Sequence, residues 1–180
     1  MKKKIFIFII LLSCFSILYC QSSIRLYTPE SDFIRNIMAS DSNYYIANID
    51  IFNTNIMEFD SSIVMKINKN GTVMNTLNLS SHFPDARVVI EGKSLKLNTG
   101  EYVALCNLFY DQQQMCNTGL VYFDDDLEIV SVKMMGDPSQ YQKSKAMMLN
   151  SKHQLIVCGT VRCGNASNYI DSVFLRKYIP

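Results

Sequence analysis

The chain has 180 residues, 48% of them hydrophobic and 18% charged, with a formal charge of +1. That length suits one domain with a real core, and so even a charge balance gives no electrostatic reason to expect nucleic acid or an anionic membrane as the main partner. A Gly-x-Ser-x-Gly elbow, a P-loop and a zincin helix are all missing, which removes the familiar signatures of several enzyme classes.

Residues 1–20 start with Lys2, Lys3 and Lys4, run apolar from Ile5 to Leu12 and end at Cys20. This is the layout of a secretory signal peptide. Its uninterrupted apolar part falls short of the ~20 residues that span a bilayer, so removal is expected. Residues 21–180 are then a single extracytoplasmic domain, secreted or on the cell surface, with no transmembrane segment. Cleavage before Gln21 is the first expectation. The alternative is a lipid anchor, for which Cys14 (after Leu11-Leu12-Ser13) and Cys20 (after Ile17-Leu18-Tyr19) are the candidate lipidation sites. Losing the leader lowers Lys+Arg from 17 to 14 against 16 Asp+Glu, a balance of −2.

Beyond Gln21 the pattern is almost wholly strand. After Tyr27-Thr28-Pro29, residues 33–38 and 44–51 make a first pair. Residues 63–67 and 72–79 flank Asn68-Lys69-Asn70-Gly71, where Asn-Gly supplies the positive backbone angles of a tight hairpin. Met65 and Ile67 alternate with Lys66 and Asn68, giving one apolar and one wet face. The design returns at 120–123, Asp124-Asp125-Asp126 and 127–132, and begins again at 173–178. Pro84 and Pro138 mark connectors that lead to strands at 87–90 and 145–149. No segment keeps a helical period for the dozen or so residues a stable helix needs.

Three stretches are versions of one unit: residues 39–48 (ASDSNYYIAN), 97–107 (LNTGEYVALCN) and 149–160 (LNSKHQLIVCGT), starting 58 and 52 residues apart. Each has a polar turn, an apolar run, and then Asn or Gly. A period near fifty points to an array of small sheets such as a propeller. About eleven strands make a little under three four-stranded antiparallel blades. A propeller closes with four or more, and a turn and partner strand are due at Tyr178-Ile179-Pro180. The expectation is an all-β, β-propeller-like array that is incomplete at its C-terminus.

Residues 64–73 resemble the Lys-bearing hairpin of secreted bacterial β-propeller repeat proteins. Gln154–Thr160 followed by Asp171–Tyr178 is similar to their apolar run, Gly-Thr, loop and Asp-led strand. The likeness covers most of residues 33–178 and bears on fold far more than on function. It implies export to the cell surface or beyond. Members often end in a sorting or anchoring module, and its lack here fits a truncated chain. Two departures stand out: no Trp is present, and the turn at Asp124-Asp125-Asp126-Leu127 has no Gly.

Four cysteines remain after the leader. Their even number in an exported chain favours disulfides, and spacing suggests local pairs Cys106–Cys116 and Cys158–Cys163. Buried free thiols are the alternative for Cys106 and Cys158. A zinc site fits poorly, because the nine residues between Cys106 and Cys116 exceed the usual ligand spacing. Asp124, Asp125, Asp126 and Glu128 form the densest acidic cluster. A solvated turn explains them more simply than calcium or a pair of glycosidase carboxylates. His153 is expected on the surface of its turn, and His82 has no marked partner. Asn70, Asn78 and Asn165 head glycosylation triplets. The aromatics read as core, with Tyr44, Tyr45 and Tyr110 as candidates for a ligand surface.

No catalytic, cofactor or metal residue is assigned. The reading is an exported, non-enzymatic module that binds a protein or glycan. The alternatives are the front of a secreted propeller enzyme acting on polysaccharide, or a fragment with no function of its own.

Overall fold

The computed structural model describes residues 31–41, 43–55, 57–110, 113–165 and 168–178. The leader with Cys14 and Cys20, and the Tyr27-Thr28-Pro29 stretch, lie outside them. The described chain is all-β: twelve strands in three antiparallel sheets, none of them closed, with a 3-10 turn at Leu79–His82.

The first sheet is a meander of β1 (Ser31–Asp41), β2 (Tyr44–Asn53), β3 (Glu58–Asn68) and β4 (Val73–Asn78). In the second, β7 (Tyr102–Tyr110), β8 (Met115–Phe123) and β9 (Ile129–Met135) follow in order. The free edge of β7 is shared by β5 (Arg87–Ile90) and β6 (Leu95–Lys96), which act as one first strand broken near Gly92. The third sheet is β10 (Tyr141–Leu149), β11 (Leu155–Asn165) and β12 (Asn168–Tyr178). The three sequence copies thus recur at one topological place, the turn that leads into β2, β7 and β11. The short β6 is the strand that the sequence pattern misses.

Four connections share one loop: Asn68–Thr72, Leu97–Glu101, Asp124–Glu128 and Asn150–Gln154. In each, the first residue's N–H donates to the fifth residue's carbonyl, and the fourth's N–H to the first's carbonyl. The fourth residue is left-handed: Gly71 at φ 85°, Gly100 at 94°, Leu127 at 62° and His153 at 57°. This is a tight turn followed by one positive-φ residue, a common hairpin loop. Asn68, Asp124 and Asn150 tighten it, since each side-chain oxygen accepts the N–H of the third and fifth residues. The acidic triplet therefore matches Asn68-Lys69-Asn70 residue for residue. Leu127 takes the glycine's place and sends its side chain into the core. The loops also shift the sequence alignment by one: His153 corresponds to Gly100, and Glu101 to Gln154.

The second sheet is the middle layer. Tyr102, Ala104, Cys106 and Leu108 of β7 pack with Ile46, Val64 and Leu77 of the first sheet, whereas Val103 and Leu105 pack with Leu155, Val157 and Phe174 of the third. Burial on both faces is why β7 reads as one apolar run and not as an alternation. Ala47, Ile49, Ile63, Met65 and Ile67 form a further cluster on the far face of the first sheet.

Buried polar pairs pin each sheet to the next. On β2 and β3, Asp50 accepts from the Ser62 hydroxyl, whose oxygen takes the Ile90 N–H of β5 at 3.0 Å. On β7, the Asn107 Oδ1 accepts the Ser144 N–H and hydroxyl of β10, both at 2.8 Å. A register shift between Ser144 and Ala146 accompanies that bond. Gln142 and Ser144 are fully buried polar residues, so β10 starts four residues before the strand expected at 145.

The expected disulfides do not form. Cys106, Cys116 and Cys158 are free thiols. Cys106 faces Gly119 across the ladder, and Cys116 faces Phe109, three positions on. That offset is roughly 10 Å and puts the two thiols on opposite faces, beyond the roughly 7 Å reach of a bridge. Cys158 and Cys163 both belong to β11, with no loop between them. Five steps along a strand are roughly 16 Å.

Candidate functional site

At the end of the stack opposite the four shared loops, the sheets leave an elongated groove. Two adjoining clefts of about 640 and 560 Å³ share Glu58, Arg87, Phe109 and Tyr141. Their volumes lie in the range of ligand sites. Strands of all three sheets form the walls, so the groove exists only because the layers stack.

Its walls are rich in cations and rings. Arg35 (β1) lies 4.6 Å over the Phe59 ring and pairs with the buried Asp50 carboxylate. Arg87 (β5) reaches Glu58 at 2.5 Å and the Phe59 carbonyl at 3.0 Å. Phe109 has Arg87 at 5.5 Å and Lys143 at 5.4 Å from its centroid. Arg162 sits 4.8 Å over Tyr141 and pairs with Asp171 at 3.3 Å. Rings hold cations by their electron-rich faces.

The groove's carboxylates are already engaged: Glu58 with Arg87, and Glu91 with the Asn107 amide at 2.8 Å. Among the described residues, Lys143 and Lys145 have no carboxylate partner. Both line the larger cleft from β10 with Glu91, whose partner Asn107 is neutral, so the two lysines outweigh one carboxylate there. Beneath lies Cys116, whose thiol burial pushes up to about 12, with Lys143 pulling the other way. Burial likewise raises the Cys106 thiol. Burial thus favours the neutral thiol over the nucleophilic thiolate at both positions.

Asp125 sits at the other end in a hydrogen-bonded cluster. Its Oδ1 accepts from the Tyr44 hydroxyl and, at 3.1 Å, from Tyr102. The Lys66 ammonium lies 3.3 Å from Oδ2, 2.7 Å from the Asp125 carbonyl, and 4.3 Å over the Tyr44 ring. Tyr44 chiefly, with Lys66 and Tyr102, holds the Asp125 carboxyl below its usual range against some desolvation. Burial and that same bond raise the Tyr44 hydroxyl. A carboxylate kept charged in this way ties the β8–β9 loop to the first sheet, and it is poorly set to act as a general acid. Asp124 is occupied by its own turn.

The aromatics singled out in the sequence are dispersed. Tyr110 lines the smaller cleft, Tyr44 joins the Asp125 cluster, and Tyr45 lies on the far face of the first sheet. His153 is exposed in its turn, as expected, and His82 is exposed at the end of the 3-10 turn. Asn78 caps that turn. Arg35, Arg87, Lys143, Lys145 and Phe109 were not visible as a group, because they come from β1, β5, β7 and β10. The one local hint was the closeness of Lys143 and Lys145 in the sequence, with Lys145 at the register shift of β10. Compared with known proteins, the chain matches no family model, no curated protein and no solved structure.

Proposed function

We propose that this chain is an exported, non-enzymatic binding module built on β-propeller-type sheets, and that its groove takes an acidic protein or glycan ligand. The observation that carries the reading is the groove wall on β10, where Lys143 and Lys145 have no ion-paired carboxylate among the described residues and stand beside ring-held arginines. Successive antiparallel meanders stacked face to face, with one loop type leading into the second strands of the second and third sheets and into β4 of the first, support the propeller comparison. The basic start and apolar run of residues 1–20 support export.

An elongated groove suits an extended chain better than a compact metabolite. Such lysines favour carboxylate or sulfate groups and raise the on-rate for such ligands. The test is to probe arrays of acidic and neutral glycans and peptides with the purified chain, and to assay the bound glycans for cleavage. Binding confined to acidic probes, lost in Lys143→Glu/Lys145→Glu and without turnover, is expected. Turnover, or binding that ignores the charge reversal, refutes the proposal.

A further inference from the structure

The larger cleft has two unlike walls. On the side of the third sheet, β10 brings Lys143 and Lys145, which outweigh Glu91 there. On the side of the first sheet it is lined by Phe52 of β2, Phe59 of β3 and Met57 of the turn between them, with Val89 of β5 on the middle sheet. The Phe52 and Phe59 rings meet edge to face at 5.4 Å, with Phe33 against both. Met57 is 71% exposed and holds a left-handed backbone at φ 56°. That conformation is unfavourable for a bulky side chain, and an apolar side chain left in solvent gains nothing from burial to offset it. Of the four non-glycine residues at positive φ among the described residues, Leu127 and His153 belong to the shared loops, whereas Met57 and Gln114 line the groove, one in each cleft. Strained positions of this kind gather at ligand sites.

We infer, resting on the reading of the groove as a site for acidic ligands, that its occupant is an extended acidic peptide. The peptide's carboxylates meet Lys143 and Lys145, and an apolar side chain beside them seats against Phe52, Met57 and Phe59. Three features select a peptide over a glycan. Phe59, Phe109 and Tyr141 each carry a cation over the ring, at 4.6, 5.4 and 4.8 Å, so the rings on which a sugar would stack are already shared. The unbranched, polarizable side chain of Met57 adapts to apolar partners of different shape, and an acidic polysaccharide has no such side chain to place there. Finally, β1, β5 and β10, which supply Arg35, Arg87 and the two lysines, are edge strands of their sheets, and an edge strand offers main-chain donors and acceptors to an extended chain.

The test is fluorescence anisotropy of the purified chain with two labelled peptides built from Asp, Ser and Gly, identical except for one central Leu or Ser, alongside a labelled polyuronate. Burial of one apolar side chain makes the Leu peptide bind about tenfold tighter than the Ser peptide. Met57→Asn keeps the turn, since Asn tolerates the left-handed conformation. It should cut the preference for Leu to about threefold or less, with polyuronate affinity undiminished and the melting temperature not lowered. Equal affinity for the two peptides, or a preference that Met57→Asn leaves whole, overturns the inference, and polyuronate binding that persists in that case leaves the acidic-ligand reading standing. Failure of the peptides and the polyuronate alike to bind overturns both.

Discussion

His153 shows how one backbone angle constrains this chain. It takes the loop position that Gly71 and Gly100 fill elsewhere, at φ 57° and with an exposed side chain. A side chain held left-handed costs about 1 kcal/mol or more, so His153→Gly should stabilise by about 1 kcal/mol, read as a higher urea midpoint. Leu127 holds the same geometry but is buried in the core. Glycine there would lose more packing than it relieves in strain. Gly159 is the opposite case: an added Cβ would fall 2.3 Å from the Lys143 carbonyl oxygen and 2.8 Å from Phe174. Gly159→Ala should cost about 1–3 kcal/mol, with the loss seen in the same unfolding experiment. Asp125 has its folded-state pKa lowered from 3.8. Its contribution is therefore present above pH 3.8 and lost as pH falls through the lower folded value. The side chain is half exposed, so the effect stays below about 1 kcal/mol. Asp125→Asn should flatten that part of the acid unfolding curve, and high salt should shrink the difference.

Between elements, the buried polar pairs decide how sheets meet. Without the Asn107 amide, the Ser144 N–H and the Glu91 carboxylate lose their partner inside a packed layer. Asn107→Ala should cost about 1–3 kcal/mol, and hydrogen exchange should quicken in β10–β12 before β1–β4. Uniform quickening would refute a local pin. The sequence made the strands of each unit legible, because turn residues and apolar runs are local signals. It placed the acidic triplet in a hairpin turn, where the structure has it. It misread the cysteines, since Cys116 and Cys163 lie in strands and not in loops, and a disulfide depends on register and face, which spacing alone does not encode. It also began β10 late, because Gln142 and Ser144 look solvent-facing until the neighbouring sheet that buries them is in view.

For the whole molecule, repetition conveyed the all-β class and the count of about eleven strands, whereas the order of layers had to come from coordinates. Both faces of β7 are apolar, and a run such as Tyr102-Val103-Ala104-Leu105 does not say which neighbours cover it. The groove was illegible for the same reason: its cations are scattered from Arg35 to Arg162 and converge only when three sheets stack. That convergence is what forms the groove. The direct test is calorimetric titration of the chain with a polyuronate and with a neutral glucan, at low and high salt. Saturable binding of the polyuronate alone, weakened by salt and abolished by Lys143→Glu/Lys145→Glu at unchanged melting temperature, is predicted. Equal affinity for the neutral polymer, or binding indifferent to those two substitutions, would contradict the account.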